Sequence, residues 1–343
     1  MTTTAGLDVG GAHLKLALVE NGTPVAVEQY ACPLWQGMGR LESALAAARP
    51  LLNRAQRIGI TMTGELSDLF ESRQQGVSKL VEWLSQQLGE DLRFWQGARG
   101  FGTADCAIEH HTDVGSTNFL ATATVVGRQR SQALLLDFGS TTADIIPVVD
   151  GKPAPDGLSD ATRQANGELV YTGYTRTAVM GVAQRALFKG QWVGLAREYL
   201  ANMADVRRVL GELDARVDLH AAADGRGKSI AESTQRLARM LGCDAAEGSE
   251  ADWRVAARSI AECQLRSICD GLLTVLSRHP RLCGKELVCA GIGADAGATL
   301  ALRLGLQPVQ FGELVGAAGR LSRDATHSAP ATAVALLLAD ART

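Results

Sequence analysis

The sequence predicts an α/β protein of two lobes built to one plan, each a mixed five-stranded sheet with helices, and a helical insertion in the second half. Three observations lead there. At 343 residues the chain exceeds the roughly 250–300 residues at which a single hydrophobic core stops growing. A strand ending in Asp-x-Gly and followed by a second apolar strand occurs twice, at Leu7-Asp8-Val9-Gly10-Gly11-Ala12-His13 and at Leu136-Asp137-Phe138-Gly139-Ser140-Thr141-Thr142. After Pro155 the composition shifts to Ala, Leu and Arg at helical intervals. The division this implies is residues 1–130 and 131–343, with the helical segment at about 195–280 and a soft boundary at Pro153–Asp160.

The elements follow in order. Ala5–Val9 and Leu14–Val19 read as strands, and Asn21-Gly22 is a type I′ hairpin signal leading into Pro24–Tyr30. Leu41–Leu52 reads as a helix disturbed by Pro50, Arg57–Met62 as a strand running into Thr63-Gly64-Glu65, and Val77–Leu88 and Asn118–Val126 as helices. Ala133–Phe138 and Ala143–Val149 repeat the opening pair, closed by Asp150-Gly151. Met203–Leu213, Ser229–Leu241 and Ala251–Leu276 are helical, with a Gly/Asp-rich loop at Asp218–Gly227. A strand at Glu286–Ala290, the turn Gly291-Ile292-Gly293, a helix at Ala294–Leu304 and a closing helix from Ala331 complete the chain. The arginines of Arg236–Arg239 and Arg254–Arg266 read most simply as a solvated helix face.

Bulk properties exclude several classes of function. With a formal charge of −3, no global field recruits nucleic acid or an anionic membrane, so an anion must be held by local groups. The first ten residues carry neither a basic flank nor a long apolar run, which predicts no signal peptide and no membrane span. Seven cysteines without a CxxC pair fit reduced, mostly buried thiols in a cytoplasmic protein. Cys106, His110 and His111 lack a second ligand pair nearby and read as a solvated loop, not a zinc site. GxxxxGK[ST] and Gly-x-Ser-x-Gly are both absent.

The repeated loop carries the chemistry. An aspartate at a strand end holds its carboxylate at the lip of a sheet, and the glycines after it let backbone amides approach a phosphate. Two such loops across a cleft can take adjacent phosphoryl groups through Gly10, Gly11, Gly139, Ser140, Thr141 and Thr142, with Lys15 as a direct cation. Asp8, Asp137 and Asp144 would repel those phosphates, which implies a bridging divalent ion, Mg²⁺ held largely through water. Glu65 and Glu168, each on a turn beside glycine, are the candidate bases. Tyr171 and Tyr174 suit stacking on rings or ordinary packing, and Arg176 suits a substrate carboxylate or a surface ion pair.

The order of these elements resembles the superfamily of actin, sugar kinases and heat-shock chaperone ATPases, whose lobes are ribonuclease-H-like. Val288-Cys289-Ala290-Gly291-Ile292-Gly293 matches that superfamily's adenosine-contacting element, so Gly291 and Gly293 are expected at a nucleotide-like pocket. Asp137-Phe138-Gly139-Ser140-Thr141-Thr142-Ala143-Asp144-Ile145 is most similar to the hydantoinase A/oxoprolinase branch, with Ser140 in place of a second glycine. Met62-Thr63-Gly64-Glu65-Leu66, Gly167-Glu168-Leu169-Val170-Tyr171-Thr172-Gly173, Arg176-Thr177, Ala223-Asp224-Gly225-Arg226 and Arg236-Leu237-Ala238-Arg239-Met240 resemble a narrower single-chain family. That family is linked to tetrahydromethanopterin-dependent one-carbon metabolism and includes archaeal methanofuran-biosynthesis enzymes.

The resemblance implies a transferase that condenses a furan-methyl diphosphate with a phenol of tyramine type, releasing diphosphate. Asp8, Asp137, Glu65 and Glu168 are then the expected catalytic groups, and Thr63, Gly64, Tyr171 and Arg176 the expected substrate contacts. The alternatives are an ATP-dependent hydantoinase-type hydrolase or small-molecule kinase, with ATP as cofactor, and a non-catalytic actin-like assembly protein. The expected partner is a phosphorylated small molecule, with a homodimer the commonest oligomer for such enzymes.

Overall fold

The structure is a computed structural model and describes residues 2–341. The first sheet begins with β1 (Thr3–Val9), β2 (His13–Glu20) and β3 (Thr23–Ala31), and is completed by β4 (Arg57–Met62), β5 (Arg93–Trp95) and β6 (Phe101–Gly102). Their spatial order is β3-β2-β1-β4-β5-β6. The second sheet contains β7 (Gln132–Phe138), β8 (Ala143–Val149), β9 (Lys152–Pro153), β10 (Leu169–Val170), β13 (Glu286–Ala290) and β14 (Gln307–Gln310), in the order β10-β8-β7-β13-β14 with β9 on β8. A separate hairpin joins β11 (Arg185–Phe188) to β12 (Gln191–Gly194).

The duplication is real at the level of register. β1 is antiparallel to β2 and parallel to β4; β7 is antiparallel to β8 and parallel to β13. Asn21-Gly22 and Asp150-Gly151 both turn at positive φ (51° and 76°, 51° and 75°), the pattern of a type I′ turn. The register also pairs Asp8 with Lys15 in the first hairpin and Asp137 with Asp144 in the second. This is the duplicated actin/ribonuclease-H-like plan. Each sheet has six strands, not five: the two-residue β6 adds an edge to β5 in the first, and the two-residue β9 pairs with β8 in the second.

The main helices are α1 (Gly39–Leu52), α2 (Arg73–Leu88), α3 (Asn118–Gln129), α4 (Met203–Leu210), α5 (Ile230–Met240), α6 (Glu250–Arg278), α7 (Ala294–Arg303) and α8 (Ala329–Asp340). The last of them, expected with the second lobe, lies on β1, β2 and β4 of the first. Gly6 makes that seat: a Cβ there would stand 2.1 Å from the Ala331 carbonyl oxygen. α8 also packs on α3, so the chain's end ties the two sheets together across the cleft's floor.

α4, α5 and α6 form a helical subdomain with its own core of Val206, Val209, Leu237, Trp253 and Ile260. The arginine face is not wholly solvated. Arg236 is fully buried, its guanidinium bonded to Asp205, Asp224, Ser233 and the Gly227 carbonyl. Two further expectations change. Only Cys32 and Cys289 of the seven free thiols are buried. Cys106 and His111 fall on two short helical turns, Ala104–Glu109 and His111–Val114, with His110 the turn residue between them, instead of on a loop. No helix among the described residues is long and apolar enough to cross a membrane.

Candidate functional site

Both Asp-x-Gly loops open into one cleft of about 530 Å³ between the lobes. The loops are local copies of each other. The Gly10 amide donates to the His13 carbonyl at 3.0 Å, and the Gly139 amide donates to the Thr142 carbonyl at 2.9 Å. Gly10, Gly11 and Lys15 line one wall; Gly139, Ser140, Thr141 and Thr142 line the other. The second loop is buttressed from behind, where Tyr174 and Arg176 donate their amides to the carbonyls of Gly139 and Ser140. Gly173 permits that approach, since a Cβ there would meet the Ser140 carbonyl oxygen at 2.0 Å.

The acids sit at the base of the loops. Asp8 is buried, with Oδ2 3.5 Å from the Lys15 ammonium and Oδ1 left without any donor. Asp137 is buried beside it, and desolvation pushes its carboxyl up to about 7; Lys15 opposes that rise, while Asp144 and Asp8 add to it. Desolvation raises Asp8 as well. Asp144 is committed in part elsewhere: its Oδ1 accepts from Arg163 at 2.6 Å. Arg163 is itself buried, stacked 3.6 Å above the Phe119 ring, and lines the cleft.

The two glutamates part company. Glu65 is buried under the Thr63–Leu66 turn and accepts from the Ser116 hydroxyl at 2.7 Å, while Oε2 has no donor. Burial lifts its carboxyl to about 7 against the opposing pull of the Ser116 bond and Arg73. Thr63 and Ser116 line the cleft and Glu65 stands behind them. Glu168 belongs to the scaffold. Its two oxygens accept from the amides of Asp156 at 2.6 Å and Gly157 at 3.0 Å, tying down the Pro153–Asp160 stretch, and it does not line the cleft. That stretch is thus an internal strap of the second lobe, not a boundary.

Other expected contacts are sorted the same way. Tyr171 is 62% exposed at the cleft's lip. Tyr174 is a packing residue: its ring meets Phe138 edge-on at 5.4 Å and its hydroxyl donates to the Glu212 carbonyl. Gly64 lies beneath the cleft surface, where a Cβ would press on Leu34 and the Val9 carbonyl at about 3 Å. Gly291 and Gly293 do not line the cleft. Their missing side chains make room for Asp137 and Phe138, which a Cβ would meet at 2.4–2.5 Å. The small residues serve strand packing there, a need that sequence cannot separate from close approach to a ligand. Among the described residues, no group of three acidic, His or Cys side chains forms a direct metal-ligand set.

Cleft residues not singled out from sequence include Trp35, Ser67, Asp68, Ser116, Asn118, Asp160 and Arg163. Arg163 and Asp160 come from a short helical turn, and Asp160 reaches Arg73 of the other lobe at 3.5 Å. None sits in a repeated pattern, so only the lobe arrangement brings them in. His13, at the start of β2, also lines the cleft, with a buried Nε2 lacking a partner. Desolvation holds its imidazole well below the usual range, and His220, 4.6 Å away between ring centres, adds to the effect.

Comparison with known proteins adds the family. The family model described as hydantoinase/oxoprolinase matches residues 57–339. A (4-{4-[2-(gamma-L-glutamylamino)ethyl]phenoxymethyl}furan-2-yl)methanamine synthase of Methanocaldococcus jannaschii is 29% identical over 240 residues, spanning 70% of this chain and 71% of that one. The synthase of the same name from Methanococcus vannielii is 36% identical over 114 residues, 32% of this chain and 50% of that one. A solved ROK family glucokinase from Streptomyces griseus, in complex with glucose and AMPPNP, is similar over 97% of this chain and 98% of its own at 15% identity and a TM-score of 0.47.

Proposed function

The chain belongs to the hydantoinase/oxoprolinase family, and from that membership we propose that it is a transferase joining a furan-methyl diphosphate to a phenol of tyramine type, with release of diphosphate. The observation that carries this reading is the pair of matched glycine loops opening into one cleft, with Lys15 on the wall of the first. The names of the two related synthases support it, since the product they describe contains a phenoxymethyl-furan ether. The product would be a precursor of a methanofuran-type one-carbon carrier, in a cytoplasmic pathway linked to tetrahydromethanopterin metabolism.

In this reading the phenolic oxygen attacks the furan methylene, the new O–CH₂ bond forms, and the CH₂–O bond to diphosphate breaks with its electron pair leaving on oxygen. The Gly11 amide and the hydroxyls of Ser140, Thr141 and Thr142 receive the charge that builds there, the electrostatic effect that is often the largest in such sites, while Gly10 and Gly139 use their amides to close the two loops. Lys15 adds a direct cation. Asp8 and Asp137 suit a magnesium ion that keeps its waters, because Asp8 Oδ1 is buried without a donor and a full protein cage is absent among the described residues. When bound, that ion would neutralise charge on the diphosphate. Asp144, shared with Arg163, would act on it only through water.

The phenol, with a pKa near 10, must lose its proton. Glu65 takes it through the Ser116 hydroxyl, which lines the cleft and already donates to the carboxylate. A carboxyl at about 7 suits a base near neutral pH.

The test is incubation with an aminomethylfuran-methyl diphosphate, Mg²⁺ and tyramine, following diphosphate release and the aryl ether by mass spectrometry. Ether formation is expected without nucleotide, rising with pH through about 7. Glu65→Gln is expected to lower kcat by about 10²–10⁴-fold and to flatten that rise. Turnover that requires ATP and yields no ether would overturn the reading.

A further inference from the structure

Aromatic residues are scarce in this chain, at 5% of the sequence with four tyrosines in all. Three large ones nevertheless stand exposed around a single arginine near the cleft mouth: Trp35 (42% exposed), Tyr171 (62%) and Tyr199 (50%). Exposed aromatic surface on this scale is unfavourable in water unless something covers it.

The geometry is specific. Trp35 sits on the short turn Leu34–Gln36, whose Leu34 amide donates to the Gly11 carbonyl at 3.0 Å. Arg176 donates its amide to the Ser140 carbonyl at 3.0 Å and its Nη1 to Thr141 Oγ1 at 2.9 Å. Its guanidinium carbon lies 4.8 Å from the centre of the Trp35 ring. Each member of this stack is therefore fixed by backbone to one of the two glycine loops, and the stack spans the cleft from lobe to lobe.

Among the described residues this arginine forms no ion pair with a carboxylate; the titratable groups near it are Tyr199, Tyr171, His13 and His220. Burial lowers its affinity for protons, the mark of a cation held partly out of water. Its charge instead polarises the Trp35 face, beside which the tilted His220 ring lies 5.7 Å away.

We propose that this Trp35–Arg176 stack, with Tyr171 beside it, is the binding subsite for the ring of the aromatic acceptor. The placement follows from the reaction's own geometry and rests on the transferase reading above. A methylene carried on diphosphate projects just beyond the groups that hold the phosphates, and a nucleophile must approach it from outside. The ring laid on Trp35 lies next to both loops and delivers its hydroxyl to that point. Arg176, layered on the same indole, keeps the Trp35 plane fixed, so less ordering is lost when the acceptor binds.

The experiment is titration of the whole chain with tyramine, read by intrinsic tryptophan emission, together with steady-state kinetics. Tyramine is expected to quench emission in the parent protein and to leave Trp35→Phe unquenched. Trp35→Ala, at a half-exposed position where folding is undisturbed, is expected to raise KM for the phenol about tenfold and leave KM for the diphosphate unchanged. Unchanged emission on tyramine binding, or a Trp35→Ala effect confined to the diphosphate, overturns the subsite. Quenching through Trp35 in a protein that forms no ether would sink the reaction and leave the subsite standing. Ether formation with an unmoved phenol KM in Trp35→Ala would do the reverse.

Discussion

Asp137→Asn is expected to abolish condensation, lowering kcat by at least about 10³-fold, and at the same time to make the free protein more stable at pH 8. The first half follows from position: Asp137 stands at the end of β7, beside Asp8 and Lys15, where a cation and a diphosphate would meet. The second half follows from linkage. Burial raises its carboxyl to about 7, well above the 3.8 of an unhindered aspartate. Between those values the folded protein holds a proton that the unfolded chain has released, so this group's contribution falls as pH rises through that window and stays low above about 7. Asparagine removes the buried charge and the repulsion with Asp8 and Asp144. A gain of roughly 2–4 °C in Tm is expected at pH 8, shrinking towards pH 4. Adding Mg²⁺ with inorganic diphosphate should raise the parent's Tm and leave that of Asp137→Asn unmoved. A variant with full activity, or one less stable than the parent at pH 8, would count against this account of the site. A protein that is better folded and inactive is the signature of strain kept for function.

How much of this could be read from the residues differs by element. The two hairpins were legible because each is written locally: alternating apolar residues, an Asp-x-Gly, and an Asn-Gly or Asp-Gly turn whose positive φ values only certain residues tolerate. The pairing of Asp8 with Lys15 and of Asp137 with Asp144 came only with the structure's register. Glu65 and Glu168 looked alike on paper, each an acid beside glycine on a turn. What separates them is which donors arrive from far along the chain: a cleft hydroxyl 51 residues away for Glu65, and the amides of the Asp156–Gly157 strap for Glu168. Gly291 and Gly293 are ambiguous for a related reason. Glycine reports that something approaches closely, and here the thing approaching is Phe138 of the neighbouring strand. Trp35 and Arg163 were invisible because their roles arise only when two lobes close on each other. α8 was detected as a helix and placed in the wrong lobe, since its apolar surface carries no mark of which sheet it will cover.

Arg236→Ala is expected to be the most damaging single change outside the cleft, lowering stability by about 3–5 kcal/mol. The residue type suggested a solvated helix face, yet the side chain is buried where α4, α5 and the Asp218–Gly227 loop converge. Its Nε donates to Asp205 at 2.8 Å, Nη1 donates to Asp224 at 3.0 Å, and Nη2 donates to the Gly227 carbonyl at 3.1 Å. Asp205 is equally buried and also caps α4 by accepting from the Asn202 amide. Removing the guanidinium leaves that carboxylate in a low-dielectric setting with Ser233, Arg208 and the Asn202 amide as partial compensation. Urea midpoints should show the loss, and the Asp205→Ala/Arg236→Ala pair should cost well below the sum of the two single changes, because the second removal relieves the charge orphaned by the first. Strict additivity would mean the network is ornamental. The same loop carries His220, which packs edge-on against His13 and beside Trp35 at the cleft wall. Loosening the anchor should therefore also raise KM for the phenol, with faster proteolysis between Asp218 and Gly227 as the accompanying sign. That link gives the helical subdomain a physical role in the chemistry: it holds the second imidazole against the first lobe, a contact that the two sheets by themselves do not make.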